Sequence, residues 1–236
     1  MYYREVQTST TPPQSLRFDK PFLRSVIILA EQEWKQWDKT KRLIEKIDVQ
    51  GFPLYPCIQG KGRLLNESIC RQISPLFSTN PNPTLHTVYS SYEDGYCIMS
   101  LLLKAGSVHP SLLVIEVENN DLILFHRVDK WVNRSNSYGS MHSTLCKITN
   151  WNGRDRRETT VCMWKGRQVE GCPRVIYTRS TNDCILIGAA GRKGIALRLP
   201  DDFSQGYSEE SDVFDSPPLQ QTFFFKILNV ELYNIL

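Results

Sequence analysis

The chain has 236 residues, 41% hydrophobic and 22% charged, and a formal net charge of +3. Such a composition fits one globular domain, or one domain plus an extension, and the charge is too small to argue for nucleic-acid binding. No apolar run reaches the roughly 18–20 residues of a membrane span, and the MYYREVQTST start lacks an apolar signal core, so neither membrane insertion nor secretion is expected.

Residues 1–20 contain Thr-Thr-Pro-Pro and read as an extended arm. From Pro21 to Ile47 the pattern is helical. Pro21 suits a first turn, and Leu23, Ile27, Ala30, Trp34, Trp37 and Ile44 fall on alternating spacings of four and three, with Lys41 the polar break. About 26 residues would span roughly 39 Å, after which Gly51-Phe52-Pro53 opens a linker to residue 62. Trp34, Trp37, Ile27 and Ile44 form a candidate partner-binding stripe, aromatics being enriched at interface hot spots; packing of the stripe on the chain's own core weighs about equally. A domain is expected over 63–236.

Within that domain the spacing predicts a short helix over Asn66–Ile73, a proline-rich turn at Asn80–Pro83 and a strand over Leu85–Tyr89. A helix over Tyr96–Lys104 should end in a left-handed Gly106. Ser111–Val117 and Leu122–Val128 read as a hairpin turned at Glu118-Asn119-Asn120-Asp121. Further strands are expected at Thr144–Thr149, Thr159–Trp164, Arg174–Thr178, Cys184–Ile187, Gly194–Leu199 and Thr222–Tyr233. Many short strands at this spacing indicate an antiparallel sandwich. Trp131 and Trp164 read as core. Phe223-Phe224-Phe225 alternates badly for a strand with one buried face, so it is either buried on both faces or has one member free to meet a partner.

The densest stretch is Ile187–Leu219. Gly188, Gly191 and Gly194 lead into alternating Ile195, Leu197 and Leu199, a half-buried strand. A phosphate-cradling loop needs a helix N-terminus after its glycines, so these read instead as sites of tight turning and close backbone approach. From Asp201 to Asp215 there are six acidic residues and no Lys or Arg, which most often marks a solvated loop; Arg154, Arg156 and Arg157 form a separate basic knot. Asp201 and Asp202 invite an acid/base reading, but neighbours on a strand face opposite ways; Pro200 before them signals a turn.

Other chemistry finds little support. His142 lies near Ser140 and Ser143, yet no G-x-S-x-G elbow is present, and a polar loop residue is the better reading. The seven cysteines form no CxxC pair, which fits reduced thiols; Cys146, Cys162 and Cys184 sit in apolar strand patterns as small hydrophobes. No histidine pairs with a cysteine at zinc spacing. Neither a metal nor a cofactor is expected.

Seven segments, in order, resemble the TLDc domain family. These are Leu85–Ser90, Asp94–Leu102, Leu112–Ile115, Val161–Gly166, the run from Gly188 through Arg192, Gly194, Leu197, Leu199, Asp201, Asp202 and Gly206, then Phe214–Leu219 with Pro217-Pro218, and Phe224–Tyr233. The match covers about two thirds of the chain. Tyr138–Leu145 departs from the family's Y-G-T-G-E-S-F-L, with Met141 for the second glycine and His142 for the glutamate; Ser211 stands where the family has a cysteine.

The resemblance implies an α+β, mainly β fold, a two-sheet antiparallel sandwich with flanking helices. It also implies a non-enzymatic protein-interaction module with no assigned catalytic residues, linked to oxidative-stress resistance and to binding the vacuolar-type proton ATPase. Its motif residues Gly188, Gly191, Gly194, Asp201, Asp202, Gly206, Pro217 and Pro218 are then structural or interaction positions. The alternative is a structural subunit of a large stable multiprotein assembly, such as a cytoskeletal one. The least favoured reading is a thiol peroxide scavenger using Cys57 or Cys172, the cysteines in proline-flanked loops. In either of the first two cases the partners are proteins, and the expected location is cytoplasmic.

Overall fold

The computed structural model of the protein describes residues 56–77, 83–151, 159–171, 175–190 and 193–236, with the side chains of 175, 176 and 190 left aside. The arm at 1–20, the stripe of Ile27, Trp34, Trp37 and Ile44, the turn at 78–82, the basic knot around Arg156, and also Gly191 and Cys172, lie outside the described residues.

Pro53–Leu236 is one compact unit and is mainly β. Its strands are β1 (Cys57–Gln59), β2 (Thr84–Ser90), β3 (Ser111–Val117), β4 (Asp121–Arg127), β5 (Arg134–Tyr138), β6 (Thr144–Thr149), β7 (Thr160–Lys165), β8 (Val175–Ser180), β9 (Cys184–Ala190), β10 (Ile195–Pro200), β11 (Gln205–Tyr207) and β12 (Phe224–Ile235). Helices α1 (Glu67–Ile73), α2 (Ser91–Asp94) and α3 (Ile98–Ala105) and a 3₁₀ turn (Ser74–Phe77) complete it.

One large sheet runs in the order β5-β8-β9-β10-β11-β12-β3-β4-β6-β7. It is antiparallel apart from β1, which pairs parallel to β2. β12 holds it together. Its first residues pair with β11, Ile227–Asn234 pair with β3, and Glu231–Ile235 pair with β2. The β3–β4 hairpin turns where expected, with Asn120 at φ 61, a left-handed position that asparagine tolerates.

Two apolar clusters explain the all-apolar runs of β3 and β4. Side chains alternate across a strand, so Leu113, Ile115, Ile123 and Phe125 enter a cluster shared with Ile185 and Ile187 of β9, Leu197 and Leu199 of β10, and α3. Leu112, Val114, Leu122 and Leu124 enter a second cluster with Cys146, Ile148 and the α1 residues Ile69, Cys70 and Ile73. The sheet is therefore buried on both faces here, which permits near-continuous hydrophobic sequence.

Several expectations need correction. β1 lies in the stretch read as linker. Gly106 has φ −56, right-handed rather than left-handed, and α3 begins at Ile98 rather than Tyr96. Cys162 is exposed on β7 rather than a core hydrophobe, whereas Cys146 is buried. Phe225 is buried, but Phe223 and Phe224 are 57% and 54% exposed and pack with Tyr207, its ring 4.9 Å from that of Phe224.

Candidate functional site

The glycine-rich run and the acidic loop act on each other. Gly188 has φ +67, and a Cβ there would stand 2.6 Å from the Phe214 ring. Phe214 can thus lie flat on β9 and reach Phe125 across the core, ring centroids 6.2 Å apart. Gly194 and Gly206 likewise lie under Glu209 and Phe225. The loop is pinned by hydroxyls. Ser211 Oγ donates to the Gly188 carbonyl at 2.7 Å, and Ser208 Oγ donates to the Ala196 carbonyl at 2.7 Å. Much of the acidic charge is met within the molecule, since Lys193 pairs with Glu210 at 2.6 Å and Arg167 pairs with Asp215 at 2.9 Å.

Asp201 and Asp202 occupy an exposed turn after β10. Asp202 accepts from the Ser204 hydroxyl at 2.7 Å and from its N–H at 3.0 Å, and the Ser204 hydroxyl bond lowers its pKa. The Asp201 carbonyl accepts from the Ile98 N–H at the start of α3. Both residues serve local turn and helix-start geometry. Pro217 and Pro218 are exposed beside the buried Ser216 and Leu219. Among the described residues, Gly188, Gly194, Gly206, Asp201 and Asp202 thus serve close packing and turns.

A buried carboxylate escaped the sequence reading. Glu231 on β12 is fully buried and accepts from the N–H groups of Arg63 at 2.8 Å and Leu64 at 3.1 Å and from the hydroxyls of Ser90 and Tyr233. It ties the segment before α1 to β12. Burial and the neighbouring Glu231 carboxylate push the Tyr233 phenol up, which keeps it a donor. The one available signal was a charge between the apolar Val230 and Leu232.

A cleft of about 730 Å³ lies beside β7. Register explains its floor. His126 pairs with Thr144 and Thr144 with Lys165, so these three form one cross-strand row on the face that α1 and the 3₁₀ turn cover further along. The next row, Leu124, Cys146 and Met163, belongs to the covered cluster. The cover stops at Pro75 and Leu76, which form one wall, and Met141, His142 and Ser143 form the other.

Neighbouring side chains fix this second wall. Arg127 is fully buried and donates to the carbonyls of Asp129 and Lys130. Its guanidinium lies 4.5 Å from the Tyr138 ring centre and 4.7 Å from that of Trp131, a desolvated cation–π stack. Ser140 Oγ then donates to Asp129 Oδ2 at 2.9 Å. Ser140 is thereby committed to Asp129, and the Ser143 hydroxyl is buried with no hydrogen-bond partner. His126 packs edge-on against Phe77, ring centroids 6.0 Å apart, and burial holds its pKa down to about 4. It stays a neutral imidazole at ordinary pH.

Half of the chain's four methionines and half of its four histidines line this cleft. No carboxylate lines it among the described residues. Burial pushes the thiols of Cys70 and Cys146 up to about 12, which keeps them protonated; Cys57 is exposed on β1. Among the described residues no group of three or more His, Cys, Asp or Glu is placed to hold a metal, and no helix is long and apolar enough to cross a membrane.

The sequence model of the family described as TLDc domain matches residues 58–236. No curated protein matches the chain significantly.

Proposed function

Because the chain belongs to the TLDc domain family, we propose that it is a non-enzymatic, cytoplasmic protein-interaction module that engages the vacuolar-type proton ATPase. On this reading the two arms of its sheet stack as the layers of a sandwich, and the segment 21–47 adds a long helix carrying Trp34 and Trp37.

One observation carries the interaction reading. The cleft beside β7 includes residues 141–143, where the sequence departs from the family pattern, and Met141 and Met163 line it. Methionine adapts to varied apolar partners.

The test is binding of the purified chain to purified pump, together with the pump's assembly and proton transport. Binding with altered assembly supports the reading, and absence of both ends it for this protein. Affinity purification from the native cell separates the alternative. Pump subunits at variable ratio fit a regulator, whereas a fixed-ratio set of other proteins fits a structural subunit.

A further inference from the structure

The two ends of the sheet differ. β5 is short and irregular, with a register shift between Arg134 and Tyr138, devices that blunt an edge against added strands. β7 is regular. It pairs with β6 through all six residues without a bulge, contains no proline, and carries no further strand among the described residues.

The direction of its free backbone groups follows from one bond. The Gly166 N–H donates to the Ser143 carbonyl at 2.8 Å, which makes Ser143 and Gly166 a hydrogen-bonded pair. Such pairs alternate along an antiparallel ladder, so Trp164 and Cys162 turn their N–H and C=O groups toward β6. Val161, Met163 and Lys165 turn theirs outward. These same residues share one face, and Met163 and Lys165 line the cleft. The open edge and the cleft therefore meet along one strand.

We propose that β7 is a strand-addition site for an extended acidic segment of a partner protein. The segment pairs its backbone with Val161, Met163 and Lys165. A carboxylate faces Lys165, and an apolar side chain two positions away enters the cleft over Met163. Main-chain bonds supply affinity in this mode, and alternate side chains supply specificity. Charge selects the acidic partner, since Lys165 is the charged side chain of a cleft that no carboxylate lines. The proposal rests on the interaction reading and gives it a surface and a partner chemistry.

The test uses the full chain and a fluorescent peptide of about eight residues, with leucine and glutamate alternating on one face. Binding is expected. Replacing the glutamates by lysine should weaken it roughly tenfold or more, and Lys165→Glu should reverse that preference. Met163→Pro removes an outward N–H at an edge, where proline is tolerated, and should abolish binding with the circular dichroism spectrum unchanged. N-methylating alternate peptide nitrogens should abolish it without altering the protein.

Equal binding of acidic and basic peptides, or indifference to N-methylation, overturns the proposal. So does a dimer of the chain that Met163→Pro dissociates, because a second copy would then occupy the edge. Pump binding that survives Met163→Pro in a folded protein refutes the strand-addition site and leaves the interaction reading intact. Charge-selective peptide binding without pump binding does the reverse.

Discussion

His126 is a residue whose environment makes a measurable prediction. An unfolded imidazole takes up its proton near its ordinary pKa of about 6.5, whereas burial holds the folded one off until about 4. The unfolded state therefore binds more protons across that window, and stability falls as pH drops from about 6.5 to about 4. The loss is about 2 kcal/mol, allowing for the ring's partial exposure. Urea denaturation at several pH values should show this slope, and His126→Phe should flatten it. Other residues differ in how plainly the sequence announces them. Gly188 was legible because a glycine opening an apolar alternation has few uses besides a turn or a close approach. Glu231 was not, because a lone acidic residue in a strand reads as a solvent-facing position until its four donors are in place.

Among the elements, α1 shows local chemistry and packing acting together. Asn66 is its N-cap, accepting from the Ile69 N–H at 2.9 Å, and Ile69, Cys70 and Ile73 are buried against the sheet. A seven-residue helix is marginal alone, so it depends on this cap and that face. Asn66→Ala should cost about 1 kcal/mol and raise the amide hydrogen exchange of Ile69–Ile73 while leaving β9 and β10 unchanged. Helices and strands of this kind, with a cap or an apolar period, were readable in advance. β1, β5 and β11 were not. Each is short or polar, as in the exposed Arg134–Ser137 run of β5, and is a strand because a neighbour offers it a ladder rather than because its own sequence asks for one. The cleft was hidden for the same reason. Its floor row of His126, Thr144 and Lys165 exists only once register brings three distant strands side by side.

For the whole molecule, the compact unit Pro53–Leu236 leads to a truncation test. Residues 53–236 alone should unfold in one cooperative transition, with near-ultraviolet circular dichroism showing fixed tertiary packing. That fragment lacks Trp34 and Trp37. If it folds but no longer joins its partners, those tryptophans belong to an interface, and if it fails to fold they belong to the core. The apolar periodicity of 21–47 could not decide between these, since burial in either place requires the same stripe.

β12, which pairs with β11, β2 and β3, is the last of these strands to be synthesised. At synthesis speeds of about 5–20 residues per second, a ribosome that has made everything through β11 holds a chain whose sheet still lacks the strand between β11 and β3. Folding must then wait for residues 224–235 to emerge. Until they do, the apolar faces of β3, β4, β9 and β10 are open to chaperones, and a premature stop codon anywhere before residue 224 should yield a product that is degraded rather than partly active.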